Sequence, residues 1–309
     1  MKFNLLKNKN LIILLIFFLL IIINGIQDPL LTKLKEPSRP FVTVRYQGEL
    51  GNRYFQTAAA IAYALDHNFK LIIPKEYLSS KSFRLIFRLL PFDKKPLNAA
   101  VFEEKDAYNY QPIPKIENVE LRGFFISENY FKRHKKTIQK LLSPPKKLQW
   151  YLQRKYPKIL SHPLKVGLHI RTYYKDFKGT GKKLYDFYPA PDLEYIRKAI
   201  EQFPEDALFI VCSDHINWCK KQLNSINRNF YFVENERSYH DFCILTLCNH
   251  MITSNSTFSW WAAYLIANPQ KKVIARTPWL MNDQCNTQSV IPQDWIVIEG
   301  QHNPPIPEF

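Results

Sequence analysis

The chain has no Cys-x-x-Cys pair, no Gly-x-Gly-x-x-Gly turn and no Gly-Lys-Ser/Thr phosphate loop. Each absence removes a class of protein. Five cysteines, at 212, 219, 243, 248 and 285, are an odd number without metal spacing. They read as small buried hydrophobes, not as a disulfide framework or a zinc site. Without the glycine fingerprints, the chain carries neither a dinucleotide-binding nor a P-loop signature. No nucleic-acid module is recognisable either. The net charge of +16 therefore points to other anions, such as sugar nucleotides, phosphates or a membrane surface, or to solvated lysine.

What is present argues for two cores. A length of 309 residues, 46% hydrophobic content and 22 Phe suit two ordinary domains. Lys2, Lys7 and Lys9 precede an apolar run from Leu11 to Ile23. This predicts a hydrophobic targeting helix with a cytoplasmic N-terminus. Its length suits a signal-peptide core, but no small-x-small cleavage site follows. A single-pass membrane anchor is expected ahead of a cleaved signal and secretion. The membrane would be Golgi-type in a eukaryote and the cell envelope in a bacterium. The expected division is a targeting segment and stem at 1–40, an α/β domain at 41–160 and a second at 161–309.

Along the chain, Phe41–Arg45 alternates as a strand, and Gly48 and Gly51 punctuate a loop. Asn52 is placed to cap a helix over 53–66, and 69–74 reads as the next strand. The Gly-x-x-Gly loop serves either a ligand or a tight turn. A basic helix is predicted over 128–142. The prolines at 144, 145, 157 and 163 mark a domain junction. From 165 onward, strands and helices alternate at the spacing of a doubly wound parallel sheet. Two Rossmann-like domains facing one cleft are expected.

Val166-Gly-Leu-His-Ile-Arg171 is a buried-strand pattern that delivers His169 and Arg171 at its end. Ligands of open α/β sheets bind beyond the carboxyl ends of strands. An Arg there offers a fixed fork suited to phosphate. Asn255-Ser-Thr-Phe-Ser-Trp-Trp261 is a second block of the same kind. Trp260, Trp261, Tyr54 and Phe55 are read as core. The Asn255 sequon is expected to be inaccessible.

Several motifs together resemble the α-1,2-fucosyltransferases, glycosyltransferase family 11. They are Gly48-Glu-Leu-Gly-Asn-Arg-Tyr-Phe-Gln56, His169-Ile-Arg171, Phe209-Ile-Val-Cys-Ser-Asp-His-Ile-Asn-Trp-Cys219 and Asn255-Ser-Thr-Phe-Ser-Trp-Trp-Ala-Ala263, in that order. One position departs: Thr172 stands where the family pattern has a second Arg. The resemblance implies a GT-B-like fold and inverting transfer of fucose from GDP-fucose to a galactose-like hydroxyl of a glycan. It implies no metal, which agrees with the absence of an Asp-x-Asp pair. The candidate catalytic residues are Arg171 for the departing phosphate, His169, and Asp176 as the base. Candidate donor-binding residues are Gly48, Gly51 and Asn52, with Asp214 and the group Asn255, Ser256, Thr257 and Ser259. A different nucleotide-sugar donor and a noncatalytic glycan-binding relative are the competing expectations.

Overall fold

A computed structural model describes residues 29–173, 185–281, 287–302 and 304. After a short helix α1 (Pro29–Lys33), the chain builds β1 (Phe41–Arg45), α2 (Leu50–His67), β2 (Lys70–Pro74), α3 (Lys81–Ile86), β3 (Phe92–Asp93), β4 (Ala100–Glu103) and β5 (Val119–Arg122). Three helices follow: α4 (Lys135–Leu142), α5 (Lys146–Lys155) and α6 (Pro157–Leu160). The second half comprises β6 (Lys165–Ile170), α7 (Leu193–Ile200), β7 (Leu208–Ser213), α8 (Ile216–Leu223), β8 (Asn229–Phe232) and α9 (Ser238–Thr246). It ends with β9 (His250–Ile252), α10 (Thr257–Leu265), β10 (Val273–Thr277) and β11 (Ile296–Glu299).

Two sheets result, in the orders β3-β2-β1-β5-β4 and β11-β10-β9-β6-β7-β8. Every pairing is parallel. The expected α/β architecture is therefore present. Both central strands are covered on two faces. The three middle residues of β1 and all six of β6 are buried, so β6 is the buried strand its apolar run implied, while β1, which alternates in sequence, has its Thr43 buried as well. In each sheet the strand order reverses beside its first strand: between β1 and β5, and between β6 and β9. Those reversals open crevices at the carboxyl ends.

Helix α2 joins the two halves. Its alanines at 58–60, 62 and 64 favour helix and allow close packing. It ends where Asn68 turns left-handed at φ 60° and donates its N–H to the Ala64 carbonyl. Tyr54 stacks on Trp261 at 5.2 Å between ring centroids, and Phe55 meets Trp260 at 4.5 Å. All four rings are fully buried, as the sequence implied. One hydrophobic core thus continues from the first sheet into the second. A smaller core, containing Leu168, Tyr195 and Trp218, covers the other face of the second sheet.

Some expectations change. Helix α2 starts at Leu50, so Asn52 does not cap it; Glu49 occupies that position without a side-chain bond. The basic helix starts at Lys135 because two short 3-10 turns precede it. The proline-flanked segment expected as a junction is largely helical. Pro145 precedes α5, and Pro157 fits the first turn of α6, where no N–H is needed. Cys212, Cys219, Cys243 and Cys248 are buried and free, as expected; Cys285 lies outside the described residues. The apolar run 11–23 also lies outside them. Among the described residues no helix is long and apolar enough to cross a membrane.

Candidate active site

The second sheet's reversal brings the two conspicuous motifs together. His169 sits at the end of β6, and its Nδ1 meets Ser254 Oγ, just past β9, at 2.9 Å. Its ring lies 4.9 Å from that of Phe258. Burial pushes the imidazole pKa down to about 4, so the ring is neutral at ordinary pH. In that state it orders the Ser254 turn as a hydrogen-bonding group.

Arg171 follows β6 with 29% of its side chain exposed. Its Nη1 donates to Asp214 Oδ2 at 3.1 Å, and its guanidinium lies 4.8 Å from the centre of the Tyr173 ring. Asp214 is nearly buried, and its Oδ1 accepts the Thr172 N–H at 2.7 Å. Asp214 therefore does not cap α8. The N-cap position of α8 is His215, which makes no side-chain cap bond, and in the turn before it Ser213 Oγ accepts the His215 N–H at 3.0 Å. One carboxylate thus fixes both the backbone after β6 and the direction of the arginine fork.

Tyr173 is held at φ 56°, a left-handed conformation unusual for an aromatic residue. Its hydroxyl donates to the Asn255 carbonyl at 3.2 Å, and its ring stacks on Tyr188 at 5.0 Å. Tyr185 donates to the Thr172 carbonyl at 2.6 Å. Thr172, where the second arginine was missed, is fully buried. Asp176 lies outside the described residues.

The Asn255–Ser259 block shapes the turn below this site. The buried Asn255 amide donates to the carbonyls of Pro278 and Trp279 at 2.8 and 3.0 Å. That burial agrees with an inaccessible sequon. Ser256 caps α10, accepting the Phe258 N–H at 3.3 Å. Ser259 is buried and donates to the Ser254 and Ser256 carbonyls at 3.1 and 3.0 Å. Thr257 Oγ1 donates to Asn52 Oδ1 at 2.8 Å, tying the two halves together. Gly51 permits that contact: a Cβ there would lie 2.4 Å from Phe258 N and from Thr257 C. Gly48, at φ 69°, makes the turn into α2.

A recess of about 30 Å³, room for roughly one water, opens beside His169, Arg171, Asn255 and the buried Asp192–Arg276 pair. A second pocket, of about 280 Å³, lies at the first sheet's reversal. There β1, β5 and β4 end in register at Arg45, Arg122 and Glu103, with Gln47 and Phe124 beside them. Beneath it, Glu104 accepts the N–H groups of Phe124 and Phe125 at 2.7 and 2.8 Å. The β1–α2 connection and the first turn of α2 border the two regions. Gln47 lines the larger pocket, and Gly51 and Asn52 abut the α10 turn. Sequence reasoning missed Ser254, Tyr173, Arg45 and Arg122. The first two adjoin motif residues; the two arginines end strands, and that position was their available signal.

The chain is 27% identical over 294 residues to the alpha-1,2-colitosyltransferase of Escherichia coli, covering 84% of this chain and 99% of that protein. It is 26% identical over 247 residues to the galactoside 2-alpha-L-fucosyltransferase SEC1 of Bos taurus, covering 72% of this chain and 64% of that enzyme. A crystal structure of NodZ alpha-1,6-fucosyltransferase soaked with GDP-fucose aligns at 16% identity and a TM-score of 0.48, over 75% of this chain and 97% of that one. The family model for glycosyl transferase family 11 matches residues 10–299. The chain therefore belongs to glycosyl transferase family 11 and is a glycosyltransferase.

Proposed function

We propose that the chain transfers fucose from GDP-fucose to a galactose-like hydroxyl of a glycan, with inversion and an α-1,2 linkage, in a GT-B arrangement. The observation that carries this reading is the Arg171 fork, aimed by Asp214 at the second sheet's reversal. The donor lies over the rim of the small recess, with its diphosphate against Arg171. As the glycosidic bond breaks, negative charge grows on the β-phosphate, and a fixed guanidinium stabilises it most at that moment. The acceptor occupies the larger pocket, where Arg45, Gln47 and Glu103 suit sugar hydroxyls and Phe124 offers an apolar face. Asp176 is proposed to take the acceptor's proton. Arg171 supplies the charge that other transferases take from a divalent ion. The run 11–23 is proposed to anchor the chain in a membrane.

A second reading keeps the fold and changes the donor sugar. It is favoured by the Escherichia coli relative, which is named for colitosyl transfer and is matched over 99% of its length. The deciding experiment incubates the protein with a panel of nucleotide sugars and a β-galactoside, with product read by mass spectrometry. Fucosyl product from GDP-fucose alone supports the first reading. Product from another donor, with none from GDP-fucose, transfers support to the second. Absence of transfer and hydrolysis with every donor would favour a noncatalytic glycan binder.

A further inference from the structure

Residues 129–175 contain no Asp or Glu, while lysines and arginines recur through the helices at 135–160. Much of that charge is engaged within the fold: Arg133 pairs with Asp66, and Lys155 with Glu236. Helix α5 is different on its outer side. Leu148 and Leu152 bury one face. Lys147, Trp150, Tyr151 and Arg154 follow the i, i+3, i+4, i+7 spacing of the other, and all are exposed. Trp150 is 58% and Tyr151 46% exposed, and the Arg154 guanidinium sits 4.6 Å from the Trp150 ring centre. The other five tryptophans, at 218, 260, 261, 279 and 295, are at most 6% exposed. An exposed Trp–Tyr pair among cations on a helix face matches an interfacial surface: the rings settle at head-group depth and the cations meet lipid phosphates.

We propose that the outer face of α5 docks on an anionic lipid bilayer, with Trp150 and Tyr151 inserted among the head groups and Lys146, Lys147 and Arg154 facing lipid phosphate. The occupant is a bilayer because the face has exposed aromatics at its centre and cations at its rim. Transferase activity is not required for this binding. The surface would hold the site beside a membrane whatever the fate of the run 11–23.

Because Trp150 is the one exposed tryptophan, its fluorescence reports this face. The full chain is mixed with phosphatidylglycerol or phosphatidylcholine vesicles carrying brominated acyl chains. Bromine should quench tryptophan emission with the anionic vesicles and much less with the neutral ones. Trp150→Phe should remove most of the quenchable emission while vesicle binding persists. The combined Lys146→Gln, Lys147→Gln and Arg154→Gln change should weaken docking of this face, read as bromine quenching of Trp150 by the anionic vesicles, about a hundredfold, at roughly fivefold per charge. Vesicle binding without Trp150 quenching would assign attachment to another segment and overturn the proposal. So would equal quenching by neutral vesicles, or no vesicle binding. Binding of heparin by the same face without quenching by lipid would identify a soluble polyanion as the occupant, and the bilayer would be wrong.

Discussion

Replacing Gly51 by alanine sets two effects of opposite sign against each other. Gly51 lies in the first turn of α2, and alanine in a helix is favoured over glycine by about 1 kcal/mol. The new methyl carbon, however, would stand 2.4 Å from Phe258 N and Thr257 C, where ordinary contact begins at 3.4 Å. The two helix starts must then separate by 3.4 − 2.4, or about 1 Å. Backbone meets the methyl on the α10 side, so no side-chain rotation relieves it. Overpacking of this kind costs about 1–3 kcal/mol, with the upper end fitting a backbone clash. Separation also breaks the 2.8 Å Thr257–Asn52 bond, worth about 1 kcal/mol. The balance is a net loss of about 3 kcal/mol, or a melting temperature lower by about 5–10 °C for a chain of this size. Urea unfolding followed by tryptophan fluorescence measures it, since Trp260 and Trp261 sit at the joint. A midpoint equal to or above that of the parent protein would refute the close approach and leave only helix propensity.

Three further outcomes are expected. Arg171→Ala should reduce kcat by roughly 100- to 1,000-fold, and Arg171→Lys should restore little of it, because a point charge lacks the fork; near-normal steady-state turnover in either variant would remove the phosphate role. Asp241 is half-buried with Oδ1 unpartnered among the described residues, and burial, with Glu236 adding to it, raises its pKa to about 7. Folding therefore favours its protonated form: no cost exists below the unfolded value near 3.8, and a cost accumulates as pH rises to about 7. Asp241→Asn should raise the melting temperature at pH 8, by up to a few kcal/mol in stability, and leave it nearly unchanged at pH 4; an equal gain at both pH values would show that the charge is not the cause. Finally, EDTA should leave glycosyl transfer essentially intact in an initial-rate assay, and activity restored only by added Mn²⁺ or Mg²⁺ would place the charge neutralisation on a metal.

Local chemistry made much of this legible in advance. The Val166–Ile170 run announced a fully buried strand, and the alternation after it announced the parallel sheet. Ser256 and Asp192 cap α10 and α7, a role their side chains carry locally. The edge strands β4 and β11 were not legible, because edge strands carry no continuous apolar run: most of their residues are exposed. Helix α5 was hidden by prolines that sit at helix starts and so do not break it.

At the site, local sequence patterns point to the residues that gather: His169, Arg171, Asp214 and the Asn255–Ser259 block, each at a strand end or helix start. Their division of labour was decided only by tertiary structure. Asp214 aims Arg171, and Thr257 and Asn52, 205 residues apart, bond across the joint. Gly51 proves to be a point of helix contact. A capping or turn preference is a property of a few neighbouring residues, and sequence carries it directly. Which carboxylate meets which cation depends on how two sheets reverse and where one helix bridges them, and that is set by the packing of the whole core.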